Sequence, residues 1–280
     1  MSADLAGRSP TVAGAPLRLG KRARLVVALV CALGLVAFTW PFVLAPDSGM
    51  AHGGDGPWLF VLLVPLLLLV LMAEAADGGL DAKAVAMLGV LAAVGAALRV
   101  LGAGMAPLEP LFFLLVVAGR AFGPAFGFAF GCLTLVAGAL LTGGVGPWLP
   151  FQMLGAAWVA LGAGLLPRVP PAAERWLLAG YGALAALAYG LLLDLWFWPF
   201  LATTAAGGDL AYVAGAPVGD NLARFALFHL ATGLGWDIPR AVLTAGLCLL
   251  AGPAVLTALR RASRRAAFDA PVRFTASEAR

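Results

Sequence analysis

Charge is the first thing this chain lacks: only 11% of its 280 residues are Asp, Glu, Lys or Arg, against 62% hydrophobic. Soluble domains carry roughly a quarter charged residues, so a water-soluble globular fold is excluded. Cysteine is scarce too. Cys31, Cys132 and Cys248 each stand alone inside an apolar run, which excludes a disulfide scaffold or a thiolate cluster and leaves three small core residues. The two histidines, His52 and His229, lie far apart, and His229 reads as structural or interfacial, not as a metal ligand. Missing as well are the G-x-x-x-x-G-K-[ST] phosphate loop, H-E-x-x-H and G-x-S-x-G, so these residues offer no such ATPase, zinc-hydrolase or serine-nucleophile chemistry. No catalytic residue, metal or cofactor is expected.

What is present are apolar runs near the ~20 residues that cross a bilayer. They place spans at 23–45, 57–74, 83–101, 107–120, 122–142, 147–166, 176–199 and 238–259. The expected fold is all-α, a polytopic membrane helix bundle of about eight spans. The fourth span is weak: Leu108–Gly119 would rise only about 18 Å, so it is broken, tilted or sheltered by its neighbours. With both ends cytoplasmic, fifteen of the 18 basic residues fall inside and only Arg99, Arg224 and Arg240 outside, as the positive-inside rule requires. The formal charge of +4 therefore sits in tails and short loops, where it fixes orientation, and no nucleic-acid partner is expected. The organisation reads as a cytoplasmic tail (1–22), two N-terminal spans (23–75), a six-helix core (80–260) and a basic cytoplasmic tail (261–280), in a plasma-membrane protein. The long outer segment 200–237 is either a lid or a solvated connector, with a short interfacial helix over Asn221–Leu234.

Polar side chains in such spans default to function. Arg99, Glu109, Trp148, Gln152, Asp194, Trp196 and Arg224 all fall in the outer third of this topology and form the candidate ligand pocket. Trp148, Trp196 and Trp198 also suit an aromatic belt at the headgroups. Asp194, embedded in LLLDLWFW, should pair with a donor such as Arg99 or touch a ligand. Asp237 and Arg240 read as an interfacial pair capping the last helix, with Pro239 in its first turn. Two stripes of small residues add packing information. Gly119, Gly123, Gly127 and Gly131 recur every four residues and suit close helix packing. Gly89, Ala92, Ala93, Ala96 and Ala97 make a second stripe, suited to docking a partner.

The segments DAKAVAMLGVLAAVGAALRVLG, EPLFFLLVVAGRAFGPAFGFAFG and LLTGGVGPWLPFQMLGAAWVALGAGLLP resemble the substrate-binding S component of energy-coupling factor (ECF) transporters. The actinobacterial type with two extra N-terminal spans is the nearest in pattern, over about residues 80–260, most specifically at GGVGPWLPFQM. The resemblance implies a six-helix bundle that binds a vitamin or related micronutrient near the outer face. It also implies a transmembrane coupling subunit and cytosolic ATPase subunits as partners, docked through an Ala-x-x-x-Ala surface on the first core helix. Corrinoids head the substrates it implies, followed by thiamine-like, biotin-like and queuosine-type molecules. A stand-alone secondary transporter and an intramembrane enzyme are the alternatives.

Overall fold

Apolar side chains recurring around whole turns, with Pro confined mostly to the ends of runs, dictate helices, and helices are what forms. The computed structural model describes residues 21–43, 82–102, 108–201, 208 and 210–266. Its elements are α1 (Lys21–Phe38), α2 (Trp40–Val43), α3 (Ala82–Gly102), α4 (Leu111–Phe122), α5 (Pro124–Thr142), α6 (Leu149–Leu165) and α7 (Pro171–Leu201). They are followed by α8 (Val218–Phe228), a π-helical turn (His229–Gly233), α9 (Leu234–Leu250) and α10 (Gly252–Ala266). No strand occurs among the described residues. The span expected at 57–74 lies outside them.

Ala82–Gly102, Pro124–Thr142 and Pro171–Phe200 are long and apolar enough to cross a membrane; Val218–Leu250 with Gly252–Ala266 adds a fourth if that bent pair is one span. A multi-pass membrane bundle accords with these lengths. The weak fourth span is the centre of the molecule. Ten of the 12 residues of α4 are buried, so it is apolar all round because it has protein on every side. At about 18 Å it is too short to cross alone, and its neighbours shelter it.

Three helices meet at α4 almost backbone to backbone. A Cβ added at Gly119 or Gly127 would fall on the Ala160 carbonyl, and one at Gly131 would fall on the backbone of Ala157. The glycine stripe therefore seats α4 and α5 on the small face of α6, as the spacing predicts. Gly123 has a different job. It turns the chain between α4 and α5 at φ +94°, and Pro124 then opens α5. Cys132 and Cys248 are buried, and Cys31 accepts a hydrogen bond from Trp158 Nε1 at 3.1 Å; all three thiols are free. That contact, with Phe38 edge-on to Phe151, lays α1 along α6.

One end of the bundle is pinned by charge. Glu174, at the start of α7 and buried, accepts from Arg120 Nε at 2.7 Å and from both terminal nitrogens of Arg260 at 2.6 and 2.8 Å. Arg120 also donates to the Leu166 and Pro167 carbonyls, so α4, α6, α7 and α10 share one knot. The last span departs from expectation at both ends. Helix begins at Val218, not near 238, and turns by 67° between Leu250 and Gly252, inside the expected 238–259. Pro253 explains the break, since its ring and missing N–H prevent the helix from running straight through.

The alanine stripe on α3 divides. Ala92 and Ala96 are buried against the bundle, which corrects their assignment to a docking surface, whereas Gly89, Ala93 and Ala97 stay exposed. Gly131→Val should lower the melting temperature in detergent by overpacking worth about 1–3 kcal/mol. Gly89→Val, where nothing lies within 4 Å of a new Cβ, should leave it within experimental scatter.

Candidate functional site

Opposite the Glu174 knot, about 20 residues and so roughly 30 Å further along α7, a second polar cluster forms. Its first member is Arg240 on α9, only 8% exposed. The guanidinium stacks over Phe112 and Tyr189, with its carbon 5.3 and 5.5 Å from the ring centroids. It donates through Nε to Glu109 at 2.7 Å and through a terminal nitrogen to Asp237 Oδ1 at 2.6 Å. Asp237 is 2% exposed, and its other oxygen, Oδ2, has no hydrogen-bond partner among the described residues. That oxygen lies 4.0 Å from His229 Nε2, and His229 Nδ1 meets Asp194 Oδ2 at 2.7 Å. A chain of five ionisable groups thus links the segment just before α4 with α9, the π-helical turn and α7.

Two glycines make the space for it. A Cβ on Gly190 would coincide with the Asp237 carboxylate, and one on Gly233 would strike Asp194 Oδ2 and His229 Nδ1. The π-helical turn contributes as well. Its extra residue per turn changes the facing of everything after it, so that His229 meets α7 while Asp237 and Arg240 face the same way two turns later.

The cluster borders a cavity of about 480 Å³. Of the expected pocket residues, Glu109, Trp148, Gln152, Asp194 and Trp196 line it. Arg99 stands one layer back, donating to Gln152 Oε1 at 2.7 Å and to the Leu135 carbonyl at 3.2 Å. Asp194 is therefore paired with His229 and not with Arg99, because α3 aims Arg99 at α5 and α6 while the π-helical turn carries His229 to α7. Arg224 is not brought to the cavity; it donates to the Gly208 carbonyl at 3.2 Å. Its place on α8 directs it toward the preceding loop.

Asp237 and Arg240 are a pair, as expected, but a buried one that lines the cavity, not an interfacial cap. Pro239 lies inside a helix already under way. Tyr189 is a lining residue that the sequence did not single out. One signal was available: Gly190, next to Tyr189, lies four positions before Asp194, the spacing of one helix face.

Trp196 and Trp198 are not belt residues. Trp196 is buried against Phe151 at 4.7 Å, and Trp198 donates to the Leu210 carbonyl at 2.7 Å while packing on Phe225 and Tyr212. Trp198, with the paired hydrogen bonds between Asn221 and the Val213 backbone, ties the segment before α8 to the bundle. Tyr212 reaches across to the Pro41 carbonyl at 2.9 Å, so α2 closes the same end. Burial pushes the Tyr212 phenol up, which keeps it a neutral donor.

No family model, curated protein or solved structure matches this chain. The site therefore rests on its own geometry. Arg240→Met should cost about 3–5 kcal/mol, chiefly because buried Asp237 loses its cation, which it shares with the more exposed Glu109. Adding Asp237→Asn to that variant should recover part of the loss in detergent melting, which a purely steric defect would not allow.

Proposed function

We propose that the chain is the substrate-binding S component of an ECF-type importer in the plasma membrane, with both termini cytoplasmic and about eight spans. Its role is to capture a vitamin or related micronutrient at the outer face and deliver it with a coupling subunit and ATPases. The observation that supports this best is the position and make-up of the cavity. It lies at one end of an apolar bundle and has aromatic walls and a few fixed polar groups, the construction of a small-molecule site. The Glu174 knot closes the other end with two arginines, Arg120 of α4 and Arg260 of α10, and Arg120 also donates to the carbonyls of the α6–α7 turn. That is the basic face the positive-inside rule assigns to the cytoplasm.

The volume bears on the substrate. About 480 Å³ lies within the ~300–1,000 Å³ of pockets for single drug-sized ligands. A corrin macrocycle with its amide arms would have to project from the open side of this cavity, whereas thiamine-like, biotin-like and queuosine-type molecules fit within it and rank ahead of corrinoids. For the coupling subunit, the exposed Gly89, Ala93 and Ala97 on α3 are the docking face, bordered by Val90 and Val94, which are also exposed. A second reading, a stand-alone proton-coupled carrier, draws on His229 between two aspartates, an arrangement suited to moving a proton in a membrane.

Co-expression with coupling and ATPase subunits separates the two. The S-component reading expects a complex that survives purification and a small molecule retained in native mass spectrometry. Ala93→Leu with Ala97→Leu should abolish the complex and leave the retained molecule in place. Proton-driven uptake by the chain alone in liposomes would establish the carrier instead.

A further inference from the structure

The walls of the cavity hold more negative charge than positive. Glu109, Asp194 and Asp237 face a single guanidinium in the lining, that of Arg240, which Glu109 and Asp237 already share. Arg99, behind Gln152, reduces the excess by one without entering the lining. A charge surplus in an apolar surround is costly unless something neutralises it. Counted with His229 neutral, the surplus gathers at Asp194, whose side chain is 27% exposed and whose one partner among the described residues is His229, and at Oδ2 of Asp237, which has no hydrogen-bond partner among them. Five of the lining residues are aromatic, and three of these remain accessible: Trp148 is 40% exposed, Phe197 43% and Trp236 57%. Accessible rings beside spare carboxylates are what hold cations through both charge and ring faces.

We propose that the cavity takes an organic cation, a protonated amine or a cationic nitrogen heterocycle. Its charge is directed at Asp194 and Asp237 and its ring lies against Trp148, Phe197 and Trp236. This rests on the reading of the cavity as a ligand site and names the class of ligand. Gln152 adds a second requirement. Its Oε1 accepts from Arg99, so its amide NH2 is the group left to offer, and the ligand needs an acceptor such as a carbonyl or ring nitrogen on that side. Arg99 is then a positioning residue: it sets which way the amide points.

A bare metal ion is the competing occupant, since donor atoms of Asp194, His229 and Asp237 all lie within 4.8 Å of one another. The guanidinium of Arg240, bonded to one oxygen of Asp237, opposes a divalent charge there. A metal would also leave the aromatic walls without a role.

The test is a tryptophan-fluorescence titration of the full chain in lipid nanodiscs, reading the three tryptophans of the lining. The probes are benzyltrimethylammonium, benzyl alcohol and phenylacetate, which share a ring and differ in charge, with zinc chloride added separately. Benzyltrimethylammonium should give saturable quenching at a concentration about tenfold below the neutral and anionic probes. Asp194→Asn should weaken that response about tenfold with an unchanged melting temperature. Equal response to all three probes, preference for phenylacetate, or no saturable response to any probe overturns the proposal. So does saturable quenching by zinc, lost in Asp194→Asn, with benzyltrimethylammonium inert. None of these outcomes touches the capture of a coupling subunit, so the class of ligand and the importer reading stand or fall separately.

Discussion

A guanidinium set over the touching rings of Phe112 and Tyr189 persists as a charge only where carboxylates meet it, and Arg240 meets two. That requirement organises the acidic end of the molecule. Glu109 must precede α4 closely enough to reach α9, and Asp237 must lie one turn before Arg240 on the same face. Once Asp237 is committed to Arg240 through one oxygen, the ionisable group that faces its other oxygen among the described residues is His229, and His229 is held in turn by Asp194. Each group is placed by the need of the one before it. The ion pairs are therefore better regarded as a device for fixing geometry than as a store of stability, since buried pairs seldom return more than their desolvation costs.

The two polar clusters divide the bundle by role. At the Glu174 end, charges are fully answered, by two arginines for one carboxylate and by carbonyls for what remains of Arg120. At the Asp194 end the balance is reversed and a cavity lies beside it. Between them α4 offers nothing but apolar surface, and its short length lets the polar groups at either end approach the axis of the bundle. A full-length central helix would have pushed Glu109 out to the periphery. The short span is thus the condition for a site at that depth.

Glycine serves two opposite needs here. On α4 and α5 it removes side chains so that helices approach closely: Gly119, Gly127 and Gly131 meet the backbone of α6 directly. On α7 and in the π-helical turn it removes side chains so that polar groups fit: Gly190 and Gly233 occupy the places where a methyl would displace carboxylates. Both kinds are invisible to composition, which counts them alike. Only the neighbour each one faces tells packing from site construction.

Amino-acid order was enough to establish that the described residues are helical and apolar, that a fourth, short segment would need shelter, and that Glu109, Trp148, Gln152, Asp194 and Trp196 belong together. Those conclusions follow from hydropathy, helical rise and alternation of ends, which are properties of the chain read in order. Tertiary structure alone decided who pairs with whom. Arg99 was the plausible partner for Asp194 by depth, yet rotation about the helix axis sends it to Gln152, and depth carries no information on rotation. Arg224 shared the depth and missed the cavity for the same reason. Ala92 and Ala96 share a stripe with Ala93 and Ala97, but one residue is about 100° of turn, enough to put one pair inside and the other out. The π-helical turn resets that phase once more before Asp237 and Arg240, so their inward facing could be known only after the backbone had formed it.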